Sequence, residues 1–231
     1  MRTKQINARN FVIDFVITTV AIVIALTFFN SRISVDVQEK EAMLFKADLK
    51  YLTSEISLVQ NSVNQTLKGL KEKSKSANNL QTSLEEKSYR ATDSLSMVVA
   101  QFDPNIFFRP EIIGFDAFVK GDEIKRLRPL SVRKSLLKSI GLLKKVNADY
   151  HESSIKYGSE YASLIDGQYT ADRSRLTNRY FLYNGKLVTW LSNYSNELNK
   201  EIQQLKTLKQ AFIQLEDQLN KLTQADEEEN E

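Results

Sequence analysis

The most strongly apolar stretch of the chain lies near its start. From Phe11 to Phe29, 19 residues carry a single charge, that of Asp14. At 1.5 Å per residue this stretch would form roughly 28 Å of helix, close to the hydrocarbon thickness of a bilayer. A buried core helix would show a polar face, and a cleaved signal peptide would show small residues where this chain has the bulky "LTFFNSRISV". The pattern therefore predicts an uncleaved transmembrane helix over residues 11–29, preceded by a short N-terminus, residues 1–10.

Beyond this stretch, apolar residues recur at spacings of mostly three and four, which is typical of amphipathic helices. One such seam runs from Phe45 to Leu70, a second from Leu136 to Leu164, and a third from Leu191 through Ile202 to Leu222. The polar stretch "KEKSKSANNLQTSLEEKS" after the first seam fits either a continued helix or a hairpin connection. Several seams in one chain favour packing within a bundle over a coiled coil between chains.

Shorter elements are predicted between the first two seams. A helix around Ser94–Gln101 ends at the loop "FDPNIFFRPE", because the residue before a proline is disfavoured in a helix. A short helix then passes through residues 112–119, and Gly121 suits the position after its end. Pro129 suits the first position of the following helix, where its missing N–H costs nothing.

Together these elements predict an all-α fold. A single N-terminal transmembrane helix is followed by an elongated helical bundle with long, coiled-coil-like helices over residues 30–225. Only seven glycines and three prolines interrupt 231 residues, which supports long helices with few turns. The acidic end "DEEENE", residues 226–231, is predicted to be solvated and disordered.

The composition excludes several kinds of active site. Without cysteine the chain has no disulfide, thiol nucleophile or cysteine-ligated zinc, and its single histidine, His151, excludes a histidine metal cluster. No glycine-rich phosphate loop is present, and a net charge of +3 is too small to indicate nucleic-acid binding. Tyr150, Tyr157 and Tyr161 lie on the second seam, so they are predicted to pack in the core rather than to stack on bases. We therefore predict a non-catalytic protein without cofactor, metal or small-molecule substrate.

The charges before the apolar stretch predict its orientation. Arg2, Lys4 and Arg9 should stay in the cytoplasm, because basic residues next to a span are retained on that side. The helical domain would then lie in the periplasm of a bacterium, anchored to the lipid of the inner membrane by one span.

One face of the predicted span is lined by small and polar residues. At 100° per residue, Asp14, Thr18, Ala21 and Ala25 lie close together, and Ala21 and Ala25 form a pair of small residues one turn apart. Such a face allows a second helix to approach, so we predict a contact with a protein partner or with a second copy of the chain. In the alternative interpretation, Asp14 reaches the headgroup region beside Arg9 and contacts no helix.

A basic tract surrounds the predicted start of the second long helix. Arg126, Arg128, Arg133 and Lys134 gather there, where backbone N–H groups already favour anions. These residues are candidates for contact with an anion or an acidic partner. The alternative is an ordinary solvated helix face.

Two stretches resemble a family of uncharacterised bacterial single-pass membrane proteins. "AIVIALTFFNS" approximates the end of that family's N-terminal span, and "FFRPEIIGFDAFVKGDEIKRLRPLSVRKSLLKS" resembles its pair of short helices separated by a glycine. The likeness covers most of the chain in order and spacing. It implies a membrane-anchored helical domain and supplies no catalytic residue.

The span alone also resembles a second group of proteins. "INARNFVIDFVITTVAIVIAL" is similar to the single span of biopolymer-transport and Tol-type ion-motor subunits, in which an aspartate early in the helix carries protons. This resemblance implies that Asp14 is the proton carrier, with Thr18 one turn away. Those proteins continue into a small mixed α/β or a peptidoglycan-binding domain, and neither pattern is visible here. The sequence leaves two functions open: a membrane-anchored scaffold or interaction module, or a single-span subunit of an ion-driven membrane motor.

Overall fold

The structure is a computed structural model. It describes residues 8–86, 92–105, 108, 110, 113–121, 123–127, 129–170, 175–183 and 185–228. Within these ranges the side chains that are not described are those of residues 8–21, 25, 28–36, 92–93, 113, 179 and 226–228.

Helices account for nearly all of the described chain. They are α1 (Ala8–Glu85), α2 (Thr92–Gln101), α3 (Ile113–Lys120), α4 (Glu123–Arg126), α5 (Leu130–Ile165) and α6 (Gly185–Glu228), with a 3-10 turn at Arg179–Tyr183. The other regular feature of the described residues is an isolated antiparallel bridge between Tyr169 and Leu176. The predicted all-α class is confirmed.

The chain divides into two compact units, residues 1–49 and 50–231. The first unit contains the N-terminal part of α1, where the described side chains of Ile22, Val23 and Ile24 are exposed. Over the residues that the structure describes, no helix combines the length and the apolarity that crossing a membrane requires. Most side chains of the predicted span, residues 11–29, lie outside the described set, so the span has no support from the structure and stays a prediction.

The second unit is a bundle in which α6 runs antiparallel to both α1 and α5. Against α1, Gln60 Nε2 donates to Glu216 Oε2 at 2.8 Å, and further along α1 the amide of Asn78 accepts from Ser195 at 2.8 Å. Residue numbers therefore rise along α1 in the direction in which they fall along α6, so the two helices are antiparallel.

The same antiparallel order holds between α5 and α6. Gln204 Nε2 donates to Asp149 Oδ2 at 2.9 Å, and the Tyr157 hydroxyl donates to the Asn193 carbonyl at 3.4 Å. Because α1 and α5 both oppose α6, they are parallel to each other.

The segment from α2 to α3 forms the remaining layer. Near its start the Tyr161 hydroxyl of α5 donates to the Val99 carbonyl, and near its end Lys144 of α5 forms an ion pair with Asp116 at 2.6 Å. This segment therefore runs opposite to α5. The second unit is an up-down-up-down four-helix bundle whose second helix is broken into α2 and α3. The chain between Gln101 and Ile113 is called the junction.

Sequence explains where the second helix breaks. Pro104 disfavours a helical conformation at Asp103, and Pro110 lacks a backbone N–H, so the predicted loop is found between α2 and α3. The predicted end of α3 is also confirmed, since the Gly121 N–H donates to the Ala117 carbonyl at 2.9 Å. One detail is wrong: Pro129 is the N-cap residue of α5, with extended backbone (φ −68°, ψ 114°), and not its first helical residue.

The three predicted seams form the core of the bundle. Their buried members include Leu52, Ile56, Val59 and Val63 on α1, Leu136, Leu143, Tyr150, Tyr157 and Tyr161 on α5, and Leu198, Leu205, Leu208 and Phe212 on α6. The polar stretch after the first seam is a continued helix, because α1 runs to Glu85 and buries Ala77, Leu80 and Leu84.

The tail that was predicted to be disordered, residues 226–231, is helical at its start. Helix α6 continues to Glu228, three residues into the segment 226–231. Residues 229–231 lie outside the described residues.

Candidate functional site

The core face of α6 contains one acidic residue. Spacings of three and four alternate without a break through Leu191, Tyr194, Leu198, Glu201, Leu205, Leu208, Phe212, Leu215 and Leu219, all of them buried. Glu201 is only 1% exposed. The sequence predicts Ile202 at this place on the core face, and Ile202 is indeed buried at 7% exposure, but the burial of Glu201 was not predicted. The unbroken alternation was the signal that could have found it.

Glu201 is buried without a fixed hydrogen bond. Among the described residues, neither of its carboxylate oxygens has a hydrogen-bond partner, and the same is true of the nearby Tyr150 hydroxyl. The Ser153 hydroxyl donates to Glu197 Oε1 at 3.3 Å and lies close enough to Glu201 to favour its carboxylate form. Lys200 pairs with the same Glu197 oxygen at 2.8 Å.

This environment changes the protonation of Glu201. Burial raises the pKa of its carboxyl group to about 7, with Glu197 adding to the rise while Ser153 and Lys200 oppose it. Near neutral pH the buried side chain is therefore present both as a neutral acid and as a carboxylate. Burial, together with the charge of Glu201, also raises the pKa of Tyr150 far above its usual value, so the phenol stays neutral.

An aromatic cluster adjoins the acid on its N-terminal side along α6. Trp190 stacks on Tyr194 with ring centroids 5.0 Å apart, and Tyr161 lies 4.8 Å from Trp190. Phe102, from the junction, meets Trp190 edge-on at 6.2 Å, and Tyr157 lies 5.4 Å from Tyr194. The prediction that Tyr157 and Tyr161 pack in the core is confirmed.

Tyrosine hydroxyls fasten the broken second helix to the rest of the bundle. The buried donors and their backbone carbonyl acceptors are Tyr161 to Val99, Tyr169 to Ser96 at 2.9 Å, and Tyr194 to Pro104 at 2.8 Å. The last carbonyls of a helix have no partner within the helix, and no glycine follows α2 to form a C-terminal cap. The hydroxyls supply donors at and near this end from other parts of the bundle.

The junction after α2 is held by α1 as well. Lys73 Nζ donates to the Asp103 carbonyl at 2.9 Å and to the Asn105 carbonyl, and it pairs with the Asp103 carboxylate at 3.6 Å. Burial lowers the pKa of Lys73, while Asp103 opposes that change. On the opposite side Asn105 covers Gly158 of α5, where a Cβ atom would lie 2.8 Å from Asn105 Oδ1. The junction is therefore positioned by three helices.

A shallow groove follows the outer surface between α5 and α6. Its larger part, about 800 Å³, is lined by Ser159, Glu160, Ser163, Leu164, Gly185, Lys186, Thr189, Trp190 and Asn193. A smaller part, about 370 Å³, is lined by Lys156, Tyr157, Glu160, Asn193, Asn196, Glu197 and Lys200. The smaller part of the groove lies next to the buried acid, because Glu197 and Lys200 line it and also act on the charge of Glu201.

One end of the bundle also exposes apolar side chains. Met97 and Val98 on α2 are 54% and 51% exposed, and Tyr180 in the 3-10 turn is 85% exposed. The same end is held together by Tyr169, which packs on the ring of Phe181 and donates to α2. We call this end, formed by α2, the 3-10 turn and the start of α6, the tip.

The residues predicted to line the packing face of the span cannot be placed against any neighbour. Asp14, Thr18, Ala21 and Ala25 all belong to α1, but their side chains lie outside the described residues. Contact through this face stays a prediction.

Arg133, from the predicted basic site, has a structural partner. Its guanidinium donates to the Leu127 carbonyl and, at 3.1 Å, to the Lys125 carbonyl. It therefore joins the start of α5 to the chain that precedes it, a role that sequence reasoning did not foresee.

The other basic residues are spread along the same region. Arg126 pairs with Glu123 at 3.9 Å, and Lys134 is exposed on α5. Arg128 lies outside the described residues. An anion contact at these positions stays a prediction.

Within the described ranges, no group of three or more histidine and carboxylate side chains could hold a metal ion. Comparison of the chain with protein-family models, with curated proteins and with solved structures finds no match. The two family resemblances noted in the sequence therefore stay predictions.

Proposed function

We propose that this chain is a membrane-tethered helical module that binds a protein partner through the tip of its bundle. The observation that carries the proposal is that Met97, Val98 and Tyr180 are each at least half exposed at the end where Tyr169 joins α2 to the 3-10 turn. Apolar side chains that are exposed singly need no explanation, but a group of them at one end of a bundle is typical of an interaction surface.

The chemistry of the tip suits a protein partner. Tyrosine is enriched among the residues that dominate binding energies, because its ring buries a large area and its hydroxyl keeps a polar contact. Complete burial of an aromatic or methionine side chain contributes about 1.5–3 kcal/mol. The groove between α5 and α6 includes Gly185 and Lys186 at the start of α6, so it offers polar groups at this end of the bundle.

The tether is proposed from the sequence. Residues 11–29 have the length and apolarity of a bilayer span, and Arg2, Lys4 and Arg9 favour a cytoplasmic N-terminus. The bundle would then work in the periplasm at the inner membrane of a bacterium.

Site-specific photocrosslinking in intact membranes tests the proposal. A photoreactive amino acid at Tyr180 or Met97 should give the same discrete protein adduct, and a control at exposed Lys206, on α6 away from the tip, should not. Replacing Val98 with aspartate should remove the adduct formed at Tyr180. Adducts that form equally at all three sites, or that survive the Val98→Asp change, would contradict binding at the tip.

Contact between spans is a separate part of the proposal. A helix that meets Ala21 and Ala25 needs close approach, so Ala21→Ile and Ala25→Ile should lower the signal of a transmembrane association reporter that carries residues 8–31. A wild-type signal no higher than that of a monomeric control would instead place Asp14 in the headgroup region.

The competing proposal, a subunit of an ion-driven motor, makes a different demand on Asp14. A proton carrier must bind and release its proton in every cycle, so Asp14→Asn should abolish its activity. A scaffold should tolerate the amide, which keeps the shape and removes only the charge. Retained crosslinking at the tip in Asp14→Asn would favour the scaffold.

A further inference from the structure

Glu201 lies where a helical bundle normally places an aliphatic side chain. It follows Leu198 and precedes Leu205 on the core face of α6, and it is 99% buried. In the described part of the chain, neither of its oxygens is hydrogen-bonded. Burying a carboxylate in such a place costs far more free energy than burying the neutral acid.

Two of the groups that could stabilise a charge on Glu201 are shared with Glu197. The Ser153 hydroxyl and the Lys200 ammonium both bind Glu197, at 3.3 and 2.8 Å. The Tyr150 hydroxyl is buried nearby without a partner among the described residues. The acid therefore lacks a dedicated counter-charge in the closed bundle.

Titratable groups from α5, α6 and the junction surround this region. They are Asp149, Tyr150, Lys156, Tyr157 and Glu160 on α5, Tyr194, Glu197 and Lys200 on α6, and Asp103 in the junction. Lys200 already pairs with Glu197, and Lys156 lies over the ring of Tyr157. The charge of Lys200 favours the carboxylate of Glu201, but the effect of burial outweighs it.

We propose that Glu201 is a proton-operated latch on the seam between α5 and α6. The neutral acid closes the seam, and loss of the proton opens it locally, so that water reaches the carboxylate. Water would enter through the smaller part of the groove, where Glu197 and Lys200 form the wall next to Glu201. The latch does not depend on a partner at the tip.

The direction of the pH effect follows from the pKa of Glu201, which burial raises from 4.5 to about 7. Between these values the folded protein binds more protons than the unfolded chain, so its stability falls as the pH rises. The loss is complete above the folded pKa. Full ionisation lowers the equilibrium constant between the closed seam and an open, solvated one by up to about 300-fold.

Amide hydrogen exchange of the purified full-length chain in a mild detergent tests the latch. Protection of residues 146–157 and 194–205, corrected for intrinsic exchange, should fall by one to two orders of magnitude between about pH 5 and about pH 8.5. In Glu201→Gln, which cannot lose a proton, protection of both segments should stay constant. The matched control is Glu152→Gln, the same change at an exposed glutamate of α5, which should behave as the wild type.

Infrared difference spectroscopy supplies an independent readout. The carbonyl stretch of a buried carboxylic acid should disappear from the wild type over the same pH range and be absent from Glu201→Gln. If Glu201→Gln does not fold, Glu201→Leu replaces it, because an aliphatic side chain suits the core position. A wild type without pH-dependent protection, or a pH dependence that persists in these variants, would overturn the proposal.

Discussion

The Tyr194 hydroxyl is the best test of how the broken second helix is fastened. Tyr194 is fully buried, and its hydroxyl donates to the Pro104 carbonyl at 2.8 Å. Tyr194→Phe removes this bond but keeps the ring that stacks on Trp190. The buried carbonyl is left without this donor, and such a loss costs about 1–3 kcal/mol, so we expect the free energy of unfolding to fall by about 2 kcal/mol.

Urea denaturation of the full-length chain in detergent measures this change. Trp190 is the one tryptophan of the sequence and packs on Tyr194, so its fluorescence reports on the junction directly. Tyr180→Phe is the control, because Tyr180 is 85% exposed and its hydroxyl should contribute less than about 0.5 kcal/mol. Burial raises the pKa of Tyr194 well above its usual value, so the loss should be the same on either side of neutral pH. Equal stabilities for the two variants would show that the hydroxyl does not fasten the junction.

Three further predictions address the core, the junction and the topology. Leu205→Ala should destabilise the bundle by about 2–5 kcal/mol in the same denaturation assay, whereas Leu205→Met should cost less than about 1.5 kcal/mol, because only alanine leaves a cavity. Lys73→Met should cost about 1–2 kcal/mol through the lost bonds to the junction carbonyls, and Lys68→Met, at an exposed lysine of the same helix, should be nearly neutral. Alkaline phosphatase fused after Phe45 should be active if the bundle is periplasmic; an inactive fusion together with an active cytoplasmic reporter would reverse the proposed orientation.

Local sequence was sufficient to predict most of the helices. Alternating spacings of three and four predict which face of a helix is buried, because one turn holds 3.6 residues. Proline chemistry likewise predicted the break after Gln101, since Pro104 restricts the residue before it. These features depend on neighbours within one or two turns, so they can be read from a single sequence.

The partners of each face were decided by the tertiary structure. The tyrosine hydroxyls that fasten the second helix bind carbonyls 62, 73 and 90 residues away, and periodicity contains no information about such distant acceptors. The contacts of Arg133 were likewise decided by the tertiary structure. Its charge suggested contact with an anion, whereas in the fold its guanidinium donates to backbone carbonyls of the preceding chain.

The burial of Glu201 depends on both the local sequence pattern and the tertiary structure. Its place in the alternation was visible in the sequence, but adjacent Ile202 satisfied the same pattern nearly as well and is the more usual core residue. Only the packing of α6 against α5 placed the acid inside, beside Tyr150, where neither carboxylate oxygen has a hydrogen-bond partner among the described residues. Periodicity locates a helical face to within one residue, whereas the protonation of a side chain depends on the atoms that surround it in three dimensions.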